Sequence, residues 1–247
     1  MIAMIFAAGL GTRLAPLTNN CPKALVNFMG KTMLENVSDK LVKAGCTHIV
    51  VNIHHFPEMM RNYISNLNIN AEITISDESD MLLDTGGGIL KARHILESEP
   101  NFILHNVDIA CNIDLKKLYK FHTESGNLAT LAVKKRNSSR NLIFDNTMHL
   151  CAWRDNRNNI TKQSRPYNEA DSQALAFSGI SVLSRDIFPL ITETGKFSIT
   201  DLFLRLAADG RIGGYLHNDL WADLGSIEKI HDAEILFSNT SQESAED

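Results

Sequence analysis

An apolar run that drops straight into a loop of glycines and cations restricts a chain to few architectures, and residues 2–25, IAMIFAAGLGTRLAPLTNNCPKAL, are such a run. Residues 3–7 read as a buried strand. Ala8, Gly9, Leu10, Gly11 and Thr12 then make a turn whose small residues leave backbone N–H groups open to an incoming ligand, which is how a backbone cradles an anion. Arg13 follows at once. Lys23 is held by a segment stiffened at Pro16 and Pro22, so two positive side chains can converge on whatever the amides hold. The chemistry points to polyphosphate.

Two common glycine loops fit this stretch badly. The dinucleotide fingerprint GxGxxG has Leu14 at its third glycine, and Pro16 cannot sit inside a helix launched from Gly11. The P-loop string GxxxxGK[ST] occurs nowhere in the sequence. The pattern that does match is GxGTRLxPLTxxxPKxL, carried by Gly9, Gly11, Thr12, Arg13, Leu14, Pro16, Leu17, Thr18, Pro22, Lys23 and Leu25. It resembles the signature of the sugar-1-phosphate nucleotidylyltransferases, which join a nucleoside triphosphate to a sugar phosphate and release pyrophosphate. The resemblance implies that Ala8, Gly9, Gly11 and Thr12 hold the triphosphate, with Arg13 on the departing pyrophosphate and Lys23 near the reacting phosphates. An ordinary glycine turn after a strand would leave so many matched positions unexplained.

A chain of 247 residues buries a sizeable core as one large domain or one domain with a small appendage. With 44% hydrophobic and 21% charged residues it carries no signature of disorder. A net charge of -5 argues against a broad nucleic-acid surface and leaves room for a local cationic pocket. Cys21, Cys46, Cys111 and Cys151 have no CxxC spacing and the histidines no zinc spacing, so neither a disulfide framework nor a zinc centre is expected. No basic flank precedes the first apolar run, and no apolar stretch reaches the length of a membrane span. A soluble protein of the cytoplasm is expected.

Thr32 and Glu35 have capping-box spacing, and Met33, Leu34, Val37, Leu41 and Val42 mark one helical face up to a stop at Gly45. With a second strand over 48–52 this predicts a βαβ unit, two parallel neighbours joined by a right-handed crossover. A helix from Pro57 to about Asn66 and strands over 72–76 and 102–106 extend it into a layered α/β sheet. Between those strands lies Leu83-Asp84-Thr85-Gly86-Gly87-Gly88, leading into a helix expected over 89–96. Three consecutive glycines let a backbone approach a flat ligand and offer N–H and C=O groups to its edge; a plain flexible loop reads the same way. The string LDTGGGI resembles the LETGGGI of bacterial N-acetylmuramate-1-phosphate uridylyltransferases more than the LGTGG or LGTAG of mannose and heptose guanylyltransferases. That implies a uracil held at Thr85, Gly86 and Gly87. Glu78, just upstream, either accepts a base N–H or is one of several solvated acids in Asp77-Glu78-Ser79-Asp80.

The strand over 102–106 ends in His105-Asn106-Val107-Asp108. A carboxylate there faces the crevice where open α/β sheets bind ligands, so Asp108 is placed to hold Mg2+ against a triphosphate; a turn or helix-capping aspartate is the alternative. Val107, a β-branched residue that resists positive φ, stands where the resembled family usually has Gly, so either the position needs no positive φ or the loop takes a local variant. Further on come a helix over 115–125, a strand over 128–135 and a hairpin turning at Asn146-Thr147. The polar stretch 153–172 reads as a mobile excursion whose Arg154, Arg157 and Arg165 touch an acidic sugar or are simply solvated. In the strand over 174–183, Phe177-Ser178-Gly179-Ile180-Ser181 resembles the family's acceptor side, with Gly179 leaving room for a sugar ring. Phe197 to Asp201 resembles the family's ITD segment, and Ser198 reads as a helix cap. Trp221-Ala222-Asp223-Leu224-Gly225 resembles the family's W-x-D-x-G, whose Asp supplies the second carboxylate to a metal. Mg2+ takes only one or two carboxylates from protein, which suits such a pair. A helix is expected from about 226 to 237, and the tail 238–247 is expected to fray.

The motifs together imply one domain over 1–247: α/β, with a Rossmann-like mixed, mostly parallel sheet flanked by helices, of the nucleotide-diphospho-sugar transferase type. Its nucleotide-binding part covers 1–129 and its sugar-binding lobe about 130–217. The implied partners are a nucleoside triphosphate, UTP by resemblance, and a sugar 1-phosphate, N-acetylmuramate 1-phosphate by resemblance. Mg2+ is the implied cofactor; nucleic acid and membrane are not implied, and monomer and homo-oligomer stay open. Mannose, heptose or glucose 1-phosphate and phosphocholine remain alternative acceptors. A non-catalytic nucleotide-sensing subunit is a further alternative, against which the presence together of Arg13, Lys23, Asp108 and Asp223 speaks. An NAD-binding oxidoreductase would need an acid after the second strand, where Asn52-Ile53-His54-His55 stands.

Overall fold

The computed structural model describes residues 1–243; positions 244–247, the end of the tail expected to fray, lie outside the described residues. The chain opens with β1 (Ile2–Phe6), buried at four of its five residues, as a strand covered on both faces must be. A short hairpin, β2 (Asn27–Phe28) with β3 (Lys31–Thr32), hands over to α1 (Met33–Ala44). The Thr32 hydroxyl accepts the Glu35 N–H at 3.1 Å, and Gly45 stops the helix at φ 99°, a left-handed conformation that glycine takes without a Cβ clash. β4 (His48–Ile53) lies parallel to β1, and α2 (Pro57–Ser65) crosses to β5 (Glu72–Asp77), parallel to β4. The direction through the sheet then reverses. α3 (Asp84–Lys91) and α4 (Arg93–Leu96) carry the chain back to β6 (Asn101–Asn106), parallel to β1 on its other edge. The order β5-β4-β1-β6 thus turns between β1 and β6, where an open α/β sheet leaves a crevice at the C-terminal ends of its strands.

Beyond β6 come β7 (Ile109–Cys111), α5 (Leu115–Ser125), β8 (Ala129–Lys134), β9 (Arg140–Phe144), β10 (Leu150–Asp155), β11 (Ile160–Gln163) and the 12-residue β12 (Gln173–Ser184). β12 pairs antiparallel with β6, β8 and β9, joining the parallel half of the sheet to the meander of β9, β10 and β11. After α6 (Ile199–Ala207), β13 (Ile212–Leu216) runs parallel to β8; β14 (Trp221–Asp223) pairs with β7, and α7 (Ile227–Glu243) closes the described chain.

The sheet is therefore mixed, with helices on both faces. Ala3 and Ile5 of β1 point to one buried cluster with Leu34 and Leu41 of α1, Met60 of α2 and Leu118 of α5. Ile2 and Met4 point to another with Ile89 of α3 and Leu202 and Phe203 of α6. That alternation is the period of a strand feeding two layers. Among the described residues no helix is long and apolar enough to cross a membrane.

The polar stretch 153–172 is not the expected excursion: its first residues complete β10, and residues 160–163 form β11, paired from Ala152 with Gln163 to Asp155 with Ile160. Buried Asp155 shapes the turn between them by accepting the N–H groups of Arg157 at 2.9 Å and Asn158 at 3.3 Å. Residues 238–243, the described part of the tail, are not frayed but continue α7 to Glu243.

Candidate active site

At the C-terminal ends of β1, β4 and β6 lies a cleft of about 200 Å³, walled by Ala8, Gly9 and Lys23 from the first loop, Thr85 from α3, and Asp108. The loop has an anchor that the sequence pattern does not show. Asn52, at 3% exposure near the end of β4, accepts the N–H groups of Ala7 at 2.7 Å and Ala8 at 3.3 Å through Oδ1. The Ala8 amide, expected to face a ligand, is therefore spent inward. From Gly9 to Thr12 no backbone N–H finds a partner among the described residues, so the open amides begin one residue later. Gly11 is needed twice over: its φ is 67°, and a Cβ there would sit 2.9 Å from Lys23 Cβ and 3.0 Å from Thr18 Cγ2. The Thr18 hydroxyl donates to Gly11 O at 2.8 Å, folding the segment back so that Lys23 returns to the cleft.

Lys23 Nζ donates to Asp108 Oδ2, with both side chains largely buried. The second acid is brought alongside by the ribbon of β7 and β14: Asp223 pairs with Ile109, and the Leu224 N–H donates to Asp108 O at 2.8 Å. Asp223 accepts the Gly225 N–H at 2.8 Å and the Lys229 ammonium at 2.5 Å. Burial by itself would raise the Asp223 carboxyl; Lys229, the Gly225 N–H and Arg13 together outweigh it and hold it below the usual carboxylate range. Arg13 lies across Gly225, where a Cβ would come within 2.8 Å of its Nη2. The two cations of the signature thus face different acids, Lys23 at Asp108 and Arg13 beside Asp223. Lys229 is an addition that only its place in the first turn of α7 could have suggested.

Val107 has no positive φ, is buried, and donates its N–H to Phe6 O at 3.2 Å, so the position before Asp108 has no need of glycine. Gly179 does have a left-handed φ of 75°, in the irregular stretch of β12. The room expected there for a sugar is filled: a Cβ would meet Ile109 Cγ1 at 2.7 Å and Asn106 Nδ2 at 3.0 Å. Its lack of a side chain admits the start of β7.

The triple glycine is not a loop. Asp84 opens α3 at φ 60°, and the three glycines are buried inside the helix. The N–H groups of Gly86 and Gly87 donate to Phe197 O at 2.9 and 3.4 Å, and Thr85 Oγ1 accepts the Ile199 N–H at 3.0 Å. A Cβ on Gly86 would lie 2.2 Å from the Phe197 ring, and one on Gly87 2.3 Å from Gly195 O. These glycines are a seam that lets residues 195–199 lie against the helix. Glu78 is neither a solvated acid nor open to a base: at 1% exposure it accepts Asn52 Nδ2–H at 2.8 Å and the Leu83 N–H at 3.0 Å.

A second cleft, of about 240 Å³, opens in the antiparallel lobe between Arg140, Asn141, Trp153 and Phe177. Arg140 and Lys162 lie 5.9 and 5.7 Å from the centroid of the Trp153 ring. The arginines singled out in the sequence are engaged elsewhere. Arg154 binds Glu169 at 2.5 Å, Arg157 binds the Ser139 hydroxyl at 2.8 Å, and Arg165 pairs with Asp145 at 3.6 Å.

A family model described as nucleotidyl transferase matches residues 2–239. The chain is 32% identical over 231 residues to an N-acetylmuramate alpha-1-phosphate uridylyltransferase of Caulobacter vibrioides, covering 91% of each. It is 38% identical over 141 residues to a mannose-1-phosphate guanyltransferase of Hypocrea jecorina, a match spanning 55% of this chain and 38% of that one. Among solved structures, a UDP-glucose pyrophosphorylase complexed with UDP-glucose superposes with a TM-score of 0.76 at 19% identity over 97% of this chain and 98% of that one. HddC from Yersinia pseudotuberculosis, complexed with GMP-PN, does so with a TM-score of 0.72 at 22% identity over 96% and 99%. These two share the fold.

Proposed function

The chain belongs to the nucleotidyl transferase family, and from that premise we propose that it transfers a uridylyl group from UTP to N-acetylmuramate 1-phosphate, releasing pyrophosphate. Sugar-1-phosphate nucleotidyl transfer itself follows from the family and the relatives. The observation that supports the mechanism is the juxtaposition of the unpaired amides of Gly9 to Thr12, Lys23 on Asp108, and Asp223 with Arg13 and Lys229. An oxygen of the acceptor's phosphate attacks the α-phosphorus in line; the bond to the β-phosphate oxygen breaks and pyrophosphate leaves with that electron pair. No proton transfer to carbon and no covalent enzyme intermediate is required. Catalysis is then alignment and neutralisation of charge. The amides and Arg13 hold the departing pyrophosphate, and Lys23 sits with the reacting phosphates.

Asp108, in the turn just before β7, and Asp223, at the end of the β14 strand paired with it, offer two carboxylates to one cleft, and no third His, Cys, Asp or Glu joins them in a metal cluster among the described residues. Two oxygen ligands from protein fit Mg2+, which keeps most of its waters and, when bound, offsets phosphate charge. On the acceptor side, Arg140 beside the Trp153 ring suits a sugar that carries a carboxylate beside an apolar substituent, as N-acetylmuramate does; Lys162, on the same ring, is paired with Asp201 at 2.9 Å. Because Gly86 and Gly87 lend no N–H to a base, the preference for uracil rests on the likeness to the uridylyltransferase along nearly the whole chain.

The test is competitive. Equal UTP, GTP and CTP are supplied with N-acetylmuramate, N-acetylglucosamine and mannose 1-phosphates and phosphocholine, and the products are resolved by mass. UDP-N-acetylmuramate is expected to dominate; dominant GDP-mannose, UDP-N-acetylglucosamine or CDP-choline would replace the substrates and keep the reaction class. Arg13→Lys is expected to slow both directions of the reaction by roughly tenfold or more, since a single ammonium does not reproduce the planar fork. Kinetics equal to the parent in both directions would take Arg13 off the pyrophosphate.

A further inference from the structure

One buried chain of hydrogen bonds joins the phosphate loop to the opposite wall of the same cleft. Its links are the Ala7 and Ala8 N–H groups to Asn52 Oδ1, Asn52 Nδ2–H to Glu78 Oε1, and the Leu83 N–H to Glu78 Oε2. The first end lies just before the open amides of Gly9 to Thr12; the last lies just before Asp84 and Thr85 on the cleft wall. Gly88 of α3 closes over the middle, where a Cβ would press on Glu78 Oε1 at 3.0 Å and Asn52 Nδ2 at 3.3 Å. The polarity of the pair is specific. Position 52 must accept from two backbone N–H groups and donate to a carboxylate, which of the side chains of this size only an amide does. Position 78 must accept at both oxygens, which a carboxylate does without turning a donor on either neighbour.

We propose that Asn52 and Glu78 are a matched positioning pair that holds the phosphate loop and the base-side wall in one register, so that a change at either residue is felt at both ends of a bound nucleotide. The proposal rests on the reading that this cleft holds a nucleoside triphosphate. Neither residue takes part in the chemistry. Asn52→Asp removes the donor and sets two carboxylates against each other out of water. Glu78→Gln turns an N–H2 either on the Leu83 N–H or on the Asn52 amide. Combined, the two substitutions reverse the one shared bond, with the new amide donating to the new carboxylate. They leave acceptors for Ala7, Ala8 and Leu83, and they conserve net charge.

The experiment is calorimetric titration of UTP and, separately, inorganic pyrophosphate into the parent, N52D, E78Q and the double variant, all with Mg2+, alongside thermal melts. Each single change is expected to weaken UTP about tenfold, the effect of one buried unsatisfied group, and to weaken pyrophosphate as well. The double variant is expected to recover both. Loss of pyrophosphate affinity in E78Q is the telling result, because Glu78 lies beyond Asn52 from the phosphate loop and a merely local role would not reach it. E78Q binding pyrophosphate as the parent does would overturn the coupling, and so would a double variant no better than the singles. If the singles do not fold, a double variant that folds and binds like the parent supports the pair, and one that does not overturns it. A parent protein that binds neither ligand overturns the nucleotide reading itself, and the pair's role with it.

Discussion

Turnover in Asp223→Asn is expected to fall by roughly two to three orders of magnitude, the scale seen when a group that neutralises transition-state charge is lost, with the fold retained. The side chain sits between Arg13 and Lys229 and opposite the start of the ribbon that carries Asp108, so its charge serves the cleft while its shape serves the turn. Asparagine keeps the oxygen that accepts the Gly225 N–H. It loses the charge opposite Lys229, but that ammonium is half exposed and can turn to water. Melting is therefore expected to change little. Asp108→Asn is expected to match it in turnover, and the two together to cost little more than either alone, as residues acting as a unit do. Binding of Mn2+ by paramagnetic resonance gives a readout apart from turnover: each variant should weaken it. Unchanged turnover and Mn2+ binding in Asp223→Asn would remove that residue from the centre.

The sequence carried the scaffold far because its signals are local. The Thr32 cap, the Gly45 stop and the apolar runs of β1, β4 and β6 each depend on a few neighbours in the chain, and each element stands within a residue or two of its expected place. The site was legible where a motif names a residue, and less so where a partner comes from afar. β7 and β14 have three residues each and no periodicity to read; they exist because Trp221 to Asp223 find Ile109 to Cys111 more than a hundred positions away. Asn52 reads as the end of a strand until the N–H groups of Ala7 and Ala8 fold onto it. Arg154, Arg157 and Arg165 look solvated in a polar stretch because their partners, Glu169, Ser139 and Asp145, are set by hairpin register rather than by spacing. The glycines after Thr85 are the sharpest reversal. Local propensity disfavours helix there, but the bonds to Phe197 O and the closeness of residues 195–199 outweigh it.

That reversal leads to the largest expected change in stability. Gly87→Ala places a methyl group inside a helix, which by propensity alone would stabilise it by about 1 kcal/mol. Its Cβ, however, would lie 2.3 Å from Gly195 O and 2.9 Å from Leu83 Cβ, the first of these a backbone atom with no rotamer by which to withdraw. Either residues 195–197 lift from α3, breaking the bonds to Phe197 O, or the helix shifts away from them. Overpacking of this kind costs about 1–3 kcal/mol, and broken buried bonds add about 1 kcal/mol each, so the strain exceeds the gain in propensity. The expected result is a net loss of about 2 kcal/mol, read as a melting temperature lower by roughly 4–8 °C in a domain of this size. Nucleotide affinity should fall with it, because Thr85 on the cleft wall is tied to the same segment through the Ile199 N–H. Exchange of the Gly86 amide hydrogen locates the damage: faster exchange there, with that of β1 unchanged, marks a seam opened locally. A raised melting temperature with unchanged affinity would show that residues 195–197 yield freely and that the close approach seen here holds nothing in place.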